Sequence, residues 1–167
     1  MMNPVNKLLQ IFSPIDFALI GHGWASHGRD YLFHIQDCLG NNPGEYELCF
    51  THCVRADCET RVNDQVWSQS WGDEFIDSIS WNASGQPDGY VWGTNWSNAY
   101  PGLTIIEPST LAKEWALRIG QEFYECTLET DRFFIRIIYH DAFARKLNDN
   151  IEQISAVTVP LPQNSQW

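Results

Sequence analysis

The stretch EYELCFTHCVRADCETRV, residues 45–62, alternates between two kinds of side chain over most of its length. Apolar side chains recur at every second position, as at Tyr46 and Leu48, and charged side chains occupy many of the positions between them. Because successive side chains of a strand point to opposite faces, this period of two predicts a long strand with one buried face. The pattern fits either one bent strand or two strands with a bulge near His52 and Cys53.

Strand patterns also flank this stretch, and two of them form a hairpin. Residues 123–129 and 133–140 are predicted to pair around a turn at 130–132. The second strand of this hairpin is apolar on both faces, which predicts a central position in the sheet. Residues 141–146 are predicted to be a link without an assigned structure. The other predicted strands cover residues 16–20, 31–37, 103–107 and 154–159.

Two helices are predicted from apolar residues that recur at helical spacing. The first covers about residues 64–80 with Asn63 as its N-cap, and the second begins after the N-cap Ser109 and ends at Gly120. Residues 1–12 are predicted to be a short helical arm that either forms or frays. The apolar stripes consist of Val66, Trp67, Trp71, Phe75 and Ile79 in the first helix and Leu111, Ala112, Trp115 and Ile119 in the second.

These elements together predict an α+β fold, in which a mainly antiparallel sheet of six or seven strands carries two helices packed on one face. The predicted organisation is an N-terminal arm at residues 1–13, a single α+β domain at 14–159 and a flexible tail at 160–167. A chain of 167 residues with 44% hydrophobic residues has enough apolar surface for one core of this kind.

The charge restricts the classes of partner. A formal net charge of -11 argues against nucleic acid and against anionic membrane surfaces, because binding to either needs a basic face. The same charge suits a basic protein partner, which an acidic surface attracts during association. It also serves solubility alone, and the sequence leaves the partner and the oligomeric state open.

The sequence also predicts a cytoplasmic protein. No secretory signal is expected in residues 1–20, and no apolar run approaches the roughly 20 residues that a membrane span needs. In a reducing cytosol the cysteines are expected to be free thiols. There are five of them, an odd number: Cys38, Cys49, Cys53, Cys58 and Cys126.

Two predicted loops have an unusual composition. Residues 21–30, GHGWASHGRD, combine three glycines, two histidines and an Arg-Asp pair. Residues 86–103, QPDGYVWGTNWSNAYPGL, place four aromatic residues among turn-forming ones. A segment this rich in aromatic residues is expected to be ordered, and ordered loops often carry function.

Several short segments spread along the chain are familiar as a set. They are Gly21-His22-Gly23 with His27-Gly28-Arg29-Asp30, Phe50-Thr51-His52-Cys53-Val54, Trp67 with Ser70-Trp71, Pro87 through Leu103, Glu129-Thr130-Asp131-Arg132-Phe133, and His140-Asp141. Together, over about residues 15–160, they resemble the YxiG-like domain family of bacteria. The resemblance assigns no activity and no catalytic residue. The family's namesake lies among genes that accompany a contact-dependent toxin, which implies an immunity-like or interaction role.

A metal site is one candidate for chemistry, because imidazole and carboxylate groups are zinc and iron ligands. The sequence has no HExxH motif and no facial-triad spacing, so histidines that hydrogen-bond the loop backbone are the favoured interpretation. We therefore expect no metal and no cofactor. The candidate ligands would be His22, His27, His52, His140, Asp30 and Asp141.

Nucleophilic or acid–base catalysis would need groups from different elements. Cys53 and its neighbour His52 cannot form a dyad, because neighbours in a strand point to opposite faces. Pairing of Cys53 with a histidine of another element stays open, but a buried inert thiol is favoured. Nothing in the spacing selects a carboxylate pair from Asp30, Asp88, Asp131 and Asp141.

The aromatic loop at residues 86–103 fits three roles. Its rings and amides are typical of a site for sugars or other small ligands. Trp and Tyr are also concentrated at protein interfaces. In the third role the rings close the hydrophobic core, while Asn and Asp cap turns.

The sequence therefore favours a non-enzymatic, immunity-like protein that binds a basic partner with Trp92 and Trp96 as anchors. The alternative is a small-ligand- or metal-binding protein, or a hydrolase, with a pocket between the 21–30 and 87–102 loops, where Arg29 would hold an anion. No catalytic residue is assigned. The predicted ligand- or partner-binding residues are His22, His27, Arg29, Asp30, Tyr90, Trp92, Asn95, Trp96, Asn98 and Tyr100.

Overall fold

The computed structural model describes residues 3–64, 67 and 96–148. The chain divides into two compact units, and the elements below belong to the unit formed by Met1–Arg61 and Trp96–Ile151. The predicted helix at 64–80, the predicted strand at 154–159 and the predicted tail lie outside the described residues, apart from isolated positions. The division into arm, domain and tail stays a prediction.

Nine strands of the described residues form two antiparallel sheets rather than one. The first sheet has the order β5-β1-β2-β3-β9 and the second has the order β4-β8-β7-β6. In the first, β1 is Ala18–Trp24, β2 is Tyr31–Asp37, β3 is Gly44–Thr51, β5 is Ser97–Asn98 and β9 is Asp141–Asn148. In the second, β4 is Arg55–Thr60, β6 is Gly102–Ile106, β7 is Tyr124–Glu129 and β8 is Phe133–Tyr139.

The prediction of a single sheet with six or seven strands was therefore wrong in strand count and arrangement. Alternation shows that a strand has one buried face, but it does not show which sheet the strand joins. Other predictions are confirmed: β2 covers the predicted residues, and β7 and β8 form the predicted hairpin. The strand β8 is central, because it lies between β4 and β7.

Two long segments pass from one sheet to the other at the same place. The strands β3 and β4 are interrupted at His52, whose backbone is left-handed with a φ of 47°. The neighbouring segment changes sheets at His140, whose N–H donates to the Thr51 carbonyl at 3.0 Å. The Val54 N–H donates to the Ile138 carbonyl at 2.9 Å, so pairing continues around the corner. Of the two alternatives that the sequence pattern left open, one bent strand or two strands with a break near His52 and Cys53, the structure has the second.

The main core contains the apolar faces of both sheets. Its centre is a series of edge-to-face rings, with Phe33 and Phe50 at 5.3 Å and Phe50 and Tyr139 at 4.9 Å between centroids. Phe33 and Phe50 belong to the five-stranded sheet and Tyr139 belongs to the four-stranded sheet. Burial of large rings at such spacings is strongly stabilising, so this core fixes how the two sheets pack.

The two helices of the described residues do not share one face. Helix α1, Val5–Leu8, buries Val5 and Leu8 in the main core. Helix α2, Thr110–Ile119, packs Ala112 on Ile138, which points away from that core. The predicted helix at 64–80 lies outside the described residues, so the prediction of two helices packed on one face stays a prediction. The ends of α2 were predicted correctly: the Ser109 side chain accepts the Ala112 N–H at 2.9 Å, and Gly120 is left-handed.

Two predicted segment boundaries also needed correction. The segment 21–24 belongs to β1, although its two glycines predicted a loop. Its strand pairing with β2 supplies hydrogen bonds that outweigh the weak propensity of glycine. Residues 141–148 form β9, where the small inward residues Ala142 and Ala144 gave only a weak apolar signal.

Candidate functional site

The candidate residues lie at the two ends of β1. The tip of the β1–β2 hairpin, residues 25–30, holds His27, Arg29 and Asp30. The tip is a compact turn in which the Ala25 N–H donates to the Asp30 carbonyl at 2.8 Å. The other end of β1 pairs with β5, where Ala18 lies opposite Asn98. Seven strand residues separate the two ends by about 20 Å.

Asp30 is the centre of the hairpin tip and is almost fully buried. Its carboxylate accepts two hydrogen bonds from the Arg29 guanidinium, at 2.8 and 3.1 Å. It also accepts the His52 backbone N–H at 3.0 Å, and His27 Nε2 lies 3.6 Å away. The Cys53 N–H donates to the Arg29 carbonyl at 2.9 Å, so the hairpin tip is bound to the corner between β3 and β4.

These contacts determine the ionisation of Asp30. The hydrogen bonds from Arg29 lower the pKa of Asp30 below its usual 3.8, and the His52 N–H adds to this effect, while burial opposes it. The Asp30 carboxylate is therefore an anion at neutral pH, with its oxygens engaged by donors of the protein. Such a group stabilises a turn and is a poor general acid or base, because a general base needs a pKa near the working pH.

His22 is bonded to the interior of the protein. Its Nδ1 lies 2.8 Å from the Tyr31 hydroxyl, and its ring packs edge-to-face on Phe133 at 5.2 Å. Burial lowers the pKa of His22 and raises the pKa of Tyr31 to about 12, so both are neutral near pH 7. The pair closes the edge of the core, which agrees with the interpretation of this histidine as a structural residue.

His52 and His140 meet at the corner where the chain changes sheets. Their rings lie edge-to-face at 5.8 Å, and His140 Nδ1 donates to the Glu122 carbonyl at 2.7 Å. His22 lies inside β1 and His27 at the hairpin tip, where they contact Tyr31 and Asp30, so the four histidines do not converge on one site. Among residues 3–64, 67 and 96–148, no three His, Cys, Asp or Glu side chains are placed to hold a metal ion.

Cys53 has the properties of a structural thiol. It is buried, its Sγ lies 3.2 Å from the Arg55 carbonyl, and burial raises its pKa to about 12. The nearby Cys49 is also buried, and its pKa is raised to about 11 for the same reason. A nucleophilic cysteine needs a lowered pKa, so these two thiols are protonated and unreactive near neutral pH.

The opposite end of β1 has an exposed surface built from three segments. Tyr100 is 64% exposed and Ile15 is 40% exposed, which is high for large apolar side chains. The Asp16 N–H donates to the Ala99 carbonyl at 2.7 Å, and the Leu103 N–H donates to the Pro14 carbonyl at 2.8 Å. Residues 14–17 and 98–103 are therefore held side by side.

Asp131, at the tip of the β7–β8 hairpin, joins the same surface. Its Oδ1 accepts the Asn98 N–H at 3.0 Å, and its own N–H donates to the Asn98 carbonyl at 2.9 Å. The sequence had presented Asp131 as a turn residue and gave no signal for Ile15 or Asp16. Ile15 is an apolar residue between Pro14 and Asp16. This position between two turn-forming residues is the signal that could have indicated an exposed apolar side chain.

The structure brings some predicted site residues together and separates others. His27, Arg29 and Asp30 meet at the hairpin tip, and His22 lies inside the strand that leads to it. Asn98 and Tyr100 lie at the far end of β1. Trp96 is half-buried directly before β5. Because Tyr90, Trp92 and Asn95 lie outside the described residues, the pocket between the two loops and the anchor role of Trp92 stay predictions.

A cavity of about 480 Å³ lies along β4 and β8. Its lining includes Arg55 and Arg136, but both are held by carboxylates: Arg55 Nε lies 2.7 Å from Asp57, and Arg136 Nε lies 3.2 Å from Glu125. The guanidinium groups are thus already neutralised, and the groove has no evident excess of charge for an anion.

The sequence also identifies a family. It matches the model of the YxiG-like protein family over residues 4–157. The chain belongs to the YxiG-like protein family. This confirms the resemblance seen in its short segments. Among curated proteins, none matches the chain.

Among solved structures, one match is the crystal structure of an uncharacterized protein from Neisseria gonorrhoeae. The identity is 7%, the TM-score is 0.36, and the match covers 80% of this chain and 93% of the other. At this level the similarity carries no argument about fold or function. Within the described ranges, the structure has no helix that is long and apolar enough to span a membrane.

Proposed function

We propose that this YxiG-like protein is a non-enzymatic, immunity-like protein that binds a basic protein partner in the cytoplasm. The observation that carries this proposal is that half of its few cations are paired with carboxylates of the same protein. Five arginines form ion pairs with carboxylates, and the chain as a whole has 21 acidic residues against 10 cations. The five are Arg29, Arg55, Arg61, Arg136 and Arg145.

The consequence is an acidic surface on which five of the ten cations are neutralised by carboxylates of the same protein. Pairing of an arginine with a carboxylate leaves the excess of eleven negative charges unchanged and removes positive sites that would repel a basic partner. An acidic surface of this kind accelerates association with basic proteins and rejects acidic ones. It also disfavours nucleic acid, whose phosphates need a basic face.

The sequence adds a local concentration of the same charge. Residues 62–112 contain six acidic residues, no Lys, Arg or His, and five of the eight tryptophans. Acidic residues with Trp are a suitable combination for a basic partner, because tryptophan faces bind cations as well as apolar groups. This supports a binding role for that segment.

The polar contacts of the candidate residues support a non-enzymatic role. The carboxylate of Asp30 and the rings of His22 and His140 each have a partner inside the protein. The described cysteines are free thiols, and burial raises the pKa of the three buried ones, Cys49, Cys53 and Cys126, so they are protonated near neutral pH. Free thiols fit a reducing cytosol, which is where we place the binding event.

The proposal is tested by recovering the partner and measuring its charge dependence. The tagged protein is cross-linked in cells of its source organism, the captured proteins are identified, and the best-enriched one is purified. Binding is then measured by calorimetry at about 50 and about 300 mM salt, because screening weakens exposed charge pairs. We expect a basic protein that binds more tightly at low salt. Capture of no protein, or of an acidic one with salt-independent binding, would contradict the proposal.

A further inference from the structure

We infer that the partner docks on a surface formed by Ile15, Asp16, Tyr100, Pro101 and Asp131, which we name the Tyr100 surface. All five residues are exposed. The inference rests on the proposed function, since it names the place where a basic protein would bind. It differs from the sequence prediction, which centred the interface on Trp92 and Trp96.

The Tyr100 surface offers the apolar contact that a binding site needs. Tyr100 and Ile15 are the exposed large side chains at this end of β1, and Pro101 lies next to Tyr100. Tyrosine provides a large, stiff ring with only two side-chain torsions, so it loses little entropy on binding. For this reason aromatic side chains concentrate at the residues that dominate binding energy.

The surface is fixed in place before any partner arrives. Asp16 and Leu103 donate backbone hydrogen bonds to Ala99 and Pro14, and Asp131 exchanges two hydrogen bonds with Asn98. Three chain segments are therefore joined by short polar contacts of 2.7 to 3.0 Å. A preorganised surface loses little conformational freedom on binding, which increases affinity without adding contacts.

The backbone at this surface is held in conformations that side chains rarely adopt. Asp16 has a φ of 59°, in the left-handed region. Gly102 has a φ of 90°, and a Cβ placed there would lie 2.1 Å from the Pro14 carbonyl oxygen. The close approach of residue 102 to Pro14 and to the Ile15 Cα, which would lie 3.0 Å from that Cβ, thus depends on glycine. Such conformations persist only where the surrounding structure enforces them.

Charge identifies the kind of partner. The exposed Asp16 follows Ile15 in the chain, and the exposed Asp131 uses one oxygen to hold Asn98, two residues before Tyr100. The neighbouring cation Arg61 is paired with Glu129, and Arg132 is half-buried. Lys or Arg side chains of a partner can pair with the two aspartates while their stems or a neighbouring apolar group cover the Tyr100 ring.

Two other exposed apolar residues, Phe143 and Leu117, each have an arginine as a neighbour. Phe143 is 50% exposed, and Arg145 follows it on the same face of β9. Leu117 is 88% exposed and is followed by Arg118, which lies over the Trp115 ring at 3.9 Å. A basic partner would meet the positive charge of Arg118 at Leu117, whereas Arg145 beside Phe143 is paired with Glu47 at 2.8 Å. The two aspartates therefore make the Tyr100 surface a better match for a basic partner than the surface around Leu117.

Photo-cross-linking in cells separates this inference from the proposed function. Two variants are compared, Tyr100→p-benzoylphenylalanine and the matched control Phe143→p-benzoylphenylalanine. We expect the basic protein to be cross-linked from position 100 and not from position 143. Cross-linking from 143 alone would overturn the Tyr100 surface and leave the proposed function standing. A second copy of this chain captured from 100 would overturn the inference of a basic partner at this surface.

Affinity measurements with the purified cross-linked protein then test the individual contacts. Tyr100→Ala should weaken binding at least about tenfold, as truncation of a central aromatic residue does. Asp16→Asn and Asp131→Asn keep the shape and should each weaken binding by about twofold to fivefold at low salt. The exposed control variants Phe143→Ala and Glu114→Gln should stay within about twofold. Equal losses in all variants, with unchanged thermal unfolding, would overturn the inference.

Discussion

The two ends of β1 differ in how their side chains are used. At the hairpin tip, Arg29 and the His52 backbone N–H occupy the Asp30 carboxylate, and His27 lies close by. At the other end, the large side chains of Ile15 and Tyr100 face solvent although their backbones are tightly held. The hairpin tip has more titratable side chains, and the other end has more exposed apolar surface.

This difference separates residues that are rich in chemistry from residues that are ready to bind. A histidine or aspartate whose polar atoms are hydrogen-bonded inside the protein stabilises the fold. Its well-defined geometry is therefore little evidence for a ligand. An apolar side chain that remains exposed on a rigid backbone contributes little to folding stability and is available to bind a partner. The comparison predicts that substitutions at the hairpin tip change stability and that substitutions of Tyr100 change binding.

The largest expected effect concerns the backbone beneath the Tyr100 surface. Gly102→Ala should destabilise the protein by about 3 kcal/mol, because it combines a left-handed φ of 90° with a clash against the Pro14 carbonyl. Gly28→Ala is the matched control, since Gly28 has a φ of 75° and a Cβ there meets no described atom within 4 Å. It should cost only about 1 kcal/mol. Urea unfolding measures both, and equal costs would show that the close approach is unimportant.

The next effect concerns Asp30 at the hairpin tip. Asp30→Ala should cost about 2 kcal/mol in urea unfolding, because it leaves the His52 N–H without its acceptor and releases Arg29. Asp30→Asn retains an acceptor oxygen and should cost about 1 kcal/mol. An Asp30→Ala variant of unchanged stability would show that the network does not hold the turn.

The lowered pKa of Asp30 also predicts that the free energy of unfolding depends on pH in the acidic range. Its pKa is lowered on folding, so its stabilising contribution is complete above the usual 3.8 and is lost as the pH falls through the folded value. The free energy of unfolding of the wild type should therefore fall more steeply with acid than that of Asp30→Asn. Parallel curves for the two proteins below pH 3.8 would contradict this contribution.

A smaller effect is expected at Asp16. Asp16→Ala should destabilise the protein by about 1 kcal/mol, because alanine tolerates a left-handed backbone less well than aspartate. Asp16→Asn should leave stability within about 0.5 kcal/mol, since asparagine is common in that conformation. Thermal and urea unfolding check the pair. A stable Asp16→Ala variant would show that the segment relaxes without strain.

The smallest effect concerns His22 near neutral pH. Burial lowers the pKa of His22 on folding from its usual 6.5, so the unfolded chain binds the proton more tightly. Stability should therefore decrease as the pH falls below 6.5 and level off below the folded value. A His22→Gln variant should lack this part of the pH dependence. Identical pH profiles for the variant and the wild type would show that His22 does not change its pKa on folding.

The strands and turns that depend on local pattern could be predicted from the sequence. The hairpin of β7 and β8, the N-cap Ser109 and the C-terminal Gly120 follow from short signals, and the structure has them where expected. A break near His52 and Cys53 was one of the two alternatives that the long alternating stretch allowed, and the structure has it, with a left-handed backbone at His52. These features depend on neighbouring residues, which is why one sequence suffices.

The features that depend on distant contacts could not be predicted. The assignment of β3 and β4 to different sheets follows from packing of Phe50 on Tyr139, and no local pattern encodes that contact. The strand β1 continues through Gly21 and Gly23 because β2 pairs with it. The Tyr100 surface was hidden for the same reason, since Ile15, Tyr100 and Asp131 come from three separate parts of the chain.

The most direct test of this account compares one residue from each end of β1. His27→Ala and Tyr100→Ala both truncate exposed side chains, so both proteins should fold. The affinity of each for the purified cross-linked partner is measured by calorimetry. The account predicts that Tyr100→Ala raises Kd at least about tenfold while His27→Ala changes it by less than about twofold. A large loss for His27→Ala with none for Tyr100→Ala would place the binding site at the hairpin tip and contradict the account.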